Sequence, residues 1–246
     1  MNKIKAVILA AGKGTRMNSD LPKVIHKCNG QPMAHYVIKA AQDAGALDVC
    51  VVVGYKSKDV KDAIYDVVDY VEQTEQLGTG HAVKCARDFI GTDGDTLVLC
   101  GDTPLITGKT LATLIDEHKK RANGVTVLSA IVDNPYGYGR IIRGTNGEFL
   151  KIVEQKDATD EEQAVNEINS GMYIYNSEAL YAALELLNND NAQGEYYLTD
   201  TIAIIKKTGL KVSAVAIPAE SLDEIRGVNT EEQLKEAEQI MINRGV

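Results

Sequence analysis

The sequence predicts an α/β protein: a Rossmann-like, mixed but mostly parallel central sheet flanked by helices, with a β-rich insertion in its C-terminal half. Three observations predict it. Short runs rich in Val, Ile and Leu alternate with stretches whose apolar residues recur every three or four positions. The runs are continuously apolar, as strands covered on both faces must be. The rhythm breaks once, at 140–154, where two β-like segments flank Asn146-Gly147, a strong hairpin turn.

The elements follow in order. Residues 6–10 form the first strand. After Pro32, Met33, Tyr36, Val37, Ala40, Ala41 and Ala44 recur at helical spacing until Gly45 stops them. Strands follow at 49–53 and 70–72. Ala82, Val83, Ala86 and Phe89 make a second helical stripe, and 96–100 the next strand. Leu111, Leu114 and Ile115 mark a third helix, and 125–132 another strand. Past the hairpin, 156–167 reads as a charged loop and 168–175 as a strand. Helices near 178–187 and 199–207 precede a strand at 212–217. Thr230 and Gln233 make a capping box for a last helix whose apolar stripe is Leu234, Ala237, Ile240 and Met241.

A chain of 246 residues, 44% hydrophobic, can bury a large core without staples. No linker, repeat or low-complexity tract divides it. The four cysteines, at 28, 50, 85 and 100, show no C-x-x-C spacing and read as free thiols in a reducing compartment. With no signal peptide and no membrane-length apolar run, a cytoplasmic protein without a membrane partner is expected. Net charge is −9, which argues against nucleic acid as a partner. Yet Lys3, Lys5, Lys13, Arg16, Lys23 and Lys27 face only Asp20 within the first thirty residues. That asymmetry suits a small anionic ligand held at one place, or else an unevenly charged surface.

Residues 9–17, LAAGKGTRM, follow the first strand directly. A glycine-rich loop at the carboxyl end of a parallel strand is where α/β proteins hold ligands. Backbone N–H groups around Gly12 and Gly14 can turn toward phosphate oxygens, with Lys13, Arg16 and Lys23 adding charge. Met17 stands where the dinucleotide fingerprint needs a third glycine. A second near-match, Gly108-Lys109-Thr110, lacks the first P-loop glycine, since position 103 is threonine; it reads as the start of a surface helix. Asp102, in LCGDTPLI, sits just past an apolar strand and suits either a Mg²⁺ ligand or a turn. His81 reads as a packing or capping residue, and the other three histidines have no legible partner.

LAAGKGTRM followed by LPK resembles the L-x-x-G-x-G-T-R-M…P-K signature of sugar-nucleotide pyrophosphorylases. EQLGTGHA, LCGD, YGYGRI, IVEQKDAT, EINSGMYI, GEYYLTD and GVNT extend the resemblance, in order, from residue 4 to about 235. Together they resemble the N-acetylglucosamine-1-phosphate uridyltransferases, one half of a bifunctional bacterial enzyme. The resemblance implies nucleotide contacts at Leu9, Ala10, Ala11, Gly12, Lys13, Gly14, Lys23, Gln73, Gly78, Thr79, Cys100 and Gly101, with Gln73 and Gly78 reading the uracil edge. It implies sugar contacts at Gly139, Glu154, Asn169 and Asn229, and Mg²⁺ held by Asp102 and Asn229. Catalytic roles fall on Arg16, Lys23 and Asp102. Cys100 departs from members with tyrosine there, so a stacking or hydroxyl contact is lost.

The implied reaction joins UTP and N-acetylglucosamine 1-phosphate, giving UDP-N-acetylglucosamine and pyrophosphate. A pyrophosphorylase for another sugar 1-phosphate or for dTTP, and a non-catalytic nucleotide-sugar sensor, are the competing readings. The expected division is a nucleotidyltransferase domain at 1–228 and a linker-like helix at 229–246. No hexapeptide array of the left-handed β-helix kind is present, so no acetyl transfer is expected, and a monomer or weak self-association rather than an obligate trimer.

Overall fold

A computed structural model describes residues 3–245. Residues 1, 2 and 246, at the outer edges of the two expected segments, lie outside the described residues. The chain forms β1 (Ile4–Ala10), a small hairpin of β2 (Lys27–Cys28) and β3 (Gln31–Pro32), α1 (Met33–Asp43), β4 (Asp48–Val53), α2 (Ser57–Ala63) and β5 (Asp69–Glu72). Next come α3 (Thr79–Cys85), α4 (Arg87–Ile90), β6 (Asp95–Cys100), α5 (Gly108–Arg121) and β7 (Val125–Ile131). The second half holds β8 (Arg140–Arg143), β9 (Phe149–Val153), α6 (Asp160–Gln163), β10 (Glu167–Asn176), α7 (Ser177–Glu185), α8 (Asp200–Lys207), β11 (Val212–Ala216) and α9 (Glu231–Arg244).

The main sheet runs β11-β7-β10-β6-β1-β4-β5, with the β8–β9 hairpin joined through β10. β6, β1, β4 and β5 are mutually parallel, as are β7 and β11; β10 is antiparallel to both of its main neighbours. The mixed sheet with a β-rich insertion is thus the architecture the sequence predicts. Its side chains alternate across β1: Ala6, Ile8 and Ala10 join a core beneath α1 and α5, while Val7 joins a core beneath α3, α7 and α8. Both faces are buried, which is why the strand reads as one unbroken apolar run.

Three details depart from the sequence reading. The stripe from Ala82 to Phe89 is two short helices, broken at Ala86 with φ −90° and ψ 10°. The charged loop contains one helical turn, α6, because Thr159 and Glu162 form a capping box that satisfies both end N–H groups. α2 buries only Val60, so it offers no stripe to read. The GKT string does open a helix: Thr107 caps α5 by accepting from the Thr110 N–H at 3.2 Å. A Cβ on Gly108 would stand 2.6 Å from the Asp43 Cβ, so the glycine permits α5 to lie close on α1.

The basic N-terminal residues divide by position. Lys3 pairs with Asp48 at 2.5 Å. Lys5 donates to the Phe89 and Ile90 carbonyls at 2.6 and 2.9 Å, satisfying acceptors that the end of α4 leaves open. Both lie at the amino end of β1, whereas Lys13, Arg16 and Lys23 follow its carboxyl end. Only the latter group can serve a ligand there.

Candidate active site

Parallel strands place all their carboxyl ends on one edge of the sheet. Here those ends deliver Ala11–Gly12 from β1, Gly54 from β4, Gln73 from β5 and Gly101–Asp102 from β6. The ladder carries past the strands: Gly101 N–H donates to Leu9 C=O at 3.0 Å, Tyr55 to Ala11 at 3.1 Å and Gln73 to Val53 at 2.7 Å. β10 runs the other way, so its first half reaches the same edge. A register shift between Asn169 and Tyr173 bulges it there, re-aiming residues as bulges beside sites commonly do.

The opening loop is held by its glycine. Gly14 has φ +66°, and a Cβ on it would lie 2.6 Å from the Lys23 Cβ, so a side chain would displace Lys23. Met17 anchors the loop by full burial. Lys23 then reaches across the edge. Its ammonium forms an ion pair with Asp102 and donates to Asn229 Oδ1 at 2.9 Å, while Arg16 donates to the same oxygen at 2.8 Å. Residues 16, 23, 102 and 229 therefore meet as one cluster. Lys13 stands apart, its ammonium 5.5 Å from the centre of the Tyr55 ring.

Asn229 is placed by the last helix. The Thr230–Gln233 capping box forms as expected, and Gln233 Oε1 also accepts the Asn229 N–H at 2.7 Å. α9 packs Ala237 and Met241 against Met17, Cys28 and Met33. A helix that reads as peripheral thus positions a residue of the cluster.

Two adjoining cavities share Leu9, Thr79, Cys100 and Glu195 as walls. The first, about 340 Å³, is lined by six more of the expected nucleotide residues, Ala10, Ala11, Gly12, Lys23, Gln73 and Gly78, with Asp102, whereas Lys13, Gly14 and Gly101 are not on its wall. The second, about 200 Å³, is lined by Glu154 and Asn169. Gly139 lies behind it: a Cβ there would stand 3.3 Å from Glu154 Oε2, and its carbonyl accepts the Asn169 N–H at 2.9 Å. The structure thus gathers the sequence-predicted residues on one edge, with Asn229 at the charged cluster rather than on the wall of the second cavity. A larger cavity of about 900 Å³ opens at Asp95, the opposite end of β6, and shares none of these residues.

Sequence reasoning missed Gln76, Glu195, Tyr197 and Thr199 as walls of these cavities. Gln76 lies in EQLGTGHA and the other three in GEYYLTD, but sequence alone assigned none of the four a role. The segment is stitched to the second glycine-rich turn: Tyr196 N–H donates to Leu77 C=O and Gly80 N–H to Tyr196 C=O, each at 2.8 Å. Gly78, at φ +112°, has Tyr196 O only 2.6 Å from where a Cβ would stand. Glycines 78 and 80 are spent on this close approach.

The electrostatics divide the two cavities. Lys23 and Arg16 stand beside the first. The second is acidic: burial raises the Glu154 carboxyl above its usual range, and Asp157 and Asp200 push the same way against a 2.9 Å hydrogen bond from Thr199. Burial pushes the Cys100 thiol up to about 12, so it stays neutral; it donates to Gly171 C=O at 3.4 Å. All four cysteines are free, as expected. Among the described residues no group of three or more His, Cys, Asp or Glu side chains could hold a metal.

A glycine-rich loop, a lysine and a carboxylate gathered at the carboxyl edge of a mixed sheet have the layout of an α/β nucleotide-binding class. The chain belongs to the nucleotidyl transferase family, whose model matches residues 5–218. It is 52% identical over 244 residues to the bifunctional protein GlmU of Caldanaerobacter subterraneus subsp. tengcongensis, covering 99% of this chain and 53% of that protein. It is 50% identical over 240 residues to the GlmU of Clostridioides difficile, covering 98% and 52%. It is 53% identical over 238 residues to that of Clostridium novyi, covering 96% and 52%. The chain spans about half the length of these relatives. A solved structure from Bacillus anthracis, assigned as a glucose-1-phosphate thymidylyltransferase in complex with sucrose, shares the fold with a TM-score of 0.75 at 21% identity, over 96% of this chain and 94% of that one. Among the described residues no helix is long and apolar enough to cross a membrane.

Proposed function

We propose that the chain transfers a uridylyl group from UTP to N-acetylglucosamine 1-phosphate, forming UDP-N-acetylglucosamine and pyrophosphate with Mg²⁺. One observation carries the reading: Lys23, Asp102 and Asn229, remote in sequence, converge beside a cavity that joins a second, acidic one. The identity to GlmU proteins over nearly the whole chain supports it.

The sugar phosphate is the nucleophile, and its second pKa of about 6 leaves it mostly dianionic at neutral pH. An oxygen of that dianion forms a bond to the α-phosphorus as the bond to the bridging oxygen breaks, and pyrophosphate leaves. No proton need be removed, so no general base is required. The obstacle is repulsion between anions, which the protein lowers by positioning and fixed positive charge. Lys23 screens the α-phosphate and the incoming phosphate. Arg16, with Lys13 from the same loop, balances the charge of the departing pyrophosphate. Glu154 accepts from sugar hydroxyls, and Asn169 has an amide proton to give, since one of the two is taken by the Tyr173 hydroxyl at 2.7 Å.

The donor set fits Mg²⁺. Asp102 and Asn229 point oxygens at one place, which the Lys23 ammonium holds in this structure. Mg²⁺ takes few protein ligands and keeps waters or phosphates for the rest, so one carboxylate and one amide suffice. Bound there, it would supply neutralisation of phosphate charge, and Lys23 would be released toward the α-phosphate.

Pyrophosphate release measured with UTP and N-acetylglucosamine 1-phosphate tests the proposal. Turnover with this pair at least tenfold above that with dTTP, CTP or glucose 1-phosphate is expected. A preference for dTTP or glucose 1-phosphate would make the chain a pyrophosphorylase of another kind, and nucleotide binding with no release would make it a sensor.

A further inference from the structure

Gln73 is only 3% exposed, yet it lines the first cavity. Which end of its amide meets a ligand depends on what holds the other end. Gln73 Nε2 lies 3.1 Å from the Gly78 carbonyl oxygen and 3.0 Å from His81 Nδ1. A carbonyl oxygen can only accept, so the atom facing Gly78 must be the amide nitrogen. Its second proton then points at His81 Nδ1, which must accept. That fixes the histidine as the tautomer protonated on Nε2, which faces Cys85 Sγ at 4.0 Å. The Tyr196 ring, 6.2 Å away between centroids, flanks the imidazole. Both amide protons are thereby used inside the protein, and Oε1 is left as the end offered to the cavity.

An acceptor at that place has a definite preference. Uracil presents N3–H, a donor, between two carbonyls; cytosine presents a bare N3 acceptor beside an amino group. Oε1 pairs with the first and opposes the second. Were the amide reversed, the preference would reverse with it. The Gly78 carbonyl is already taken by Gln73 and by the Ala82 N–H at 3.1 Å, so what Gly78 can offer a base is its own N–H, suited to a carbonyl of uracil.

We propose that His81 sets the base preference of the site as a positioning residue: its Nδ1 holds the Gln73 amide with Oε1 outward, so the base meets an acceptor. This rests on the uridylyl-transfer reading, since the orientation is useful only for a base that presents an N3–H, as uracil does. His81 touches no substrate in this account. A side chain lacking an acceptor at its position frees the amide to rotate, and discrimination falls while phosphate chemistry is untouched.

The experiment is calorimetric binding of UTP and CTP, with Mg²⁺, to the parent chain, His81→Asn and His81→Leu, with turnover and thermal unfolding measured beside it. His81→Asn keeps an acceptor near the position of Nδ1; His81→Leu removes it. The expected result is a UTP-over-CTP preference of tenfold or more in the parent, kept within about threefold by His81→Asn and reduced at least tenfold by His81→Leu. The fall should lie in UTP affinity and KM, with kcat at saturating UTP changed by less than about threefold. A parent that binds both nucleotides equally would overturn the uridylyl reading and this proposal with it. A UTP-selective parent whose His81→Leu variant is folded and equally selective would overturn the role of His81 alone. Loss of selectivity in both variants would mean that bulk or ring packing, not the acceptor, matters, and would equally overturn it.

Discussion

At the scale of single residues, the cluster around Asp102 makes the sharpest forecasts. Lys23 pairs with Asp102 in the structure, and in the proposed reaction it meets phosphate. Lys23→Ala should therefore lower turnover by about 10²-fold, roughly 3 kcal/mol in the transition state, without weakening Mn²⁺ binding measured by paramagnetic relaxation. Asp102→Asn should do both, with turnover down about 10²–10³-fold. Equal loss of metal affinity in the two variants would remove the division of labour. Glu154 carries a different signature. Its carboxyl is raised by burial and by neighbouring acids, so the folded protein holds that proton more tightly than the unfolded chain does. The favourable contribution is complete below the ordinary carboxylate range and is lost as pH rises through the raised value. Glu154→Gln should thus be more heat-stable than the parent at neutral pH, with the gap closing near pH 4. Its affinity for sugar phosphate should fall, because a charged acceptor for hydroxyls is gone. Identical unfolding midpoints at every pH would show that Glu154 is not held as described.

At the scale of elements, α9 joins folding to the site. Thr230→Ala removes one half of the capping box and should cost about 1 kcal/mol, or about 2–4 °C in unfolding midpoint for a chain of this size. Gln233→Ala should cost activity as well, because Gln233 also holds the Asn229 N–H. If Gln233→Ala lowers stability but leaves turnover whole, Asn229 needs no such support. How much of this was legible in sequence follows the physics of each element. β1, β4 and β6 were plain because both faces are buried, and the capping box at Thr230 because its residue types are specific. The antiparallel direction of β10 was not, since a strand buried on both faces looks the same either way round. Nor was the break at Ala86, which the apolar pattern crosses without a glycine or proline. In the site, the loop that follows β1 declared itself, whereas the walls from Glu195 to Thr199 did not. Their roles come from lying against the second glycine turn, a contact more than a hundred residues apart that no local pattern encodes.

At the scale of the whole molecule, the question is what the surface leaves open. The apolar stripe on α9 offers itself, in sequence, as a contact for another chain. In the structure its inner residues are spent at home: Ala237 and Met241 are buried, and Leu234 and Ile240 pack on the same cluster. Arg244 further ties the helix end down by donating to Leu105 C=O at 3.1 Å. Ile242, 58% exposed, is the large apolar residue that α9 leaves to solvent among the described residues. Among the described residues the other large exposed apolar side chains include Leu47, Tyr65, Val67, Tyr136 and Leu186 in connecting segments and Ile131 on β7. A stable interface needs roughly 800 Å² on each partner with a fully buried apolar centre, more than Ile242 on α9 can supply. Net charge adds repulsion between copies at −9. This 246-residue chain should therefore sediment as a monomer at micromolar concentration, and Ile242→Ser should leave its sedimentation coefficient unchanged. A stable trimer under those conditions would mean that α9 trades its packing on Met17, Cys28 and Met33 for contacts with its copies. Asn229, held just before that helix, would then be expected to move with it.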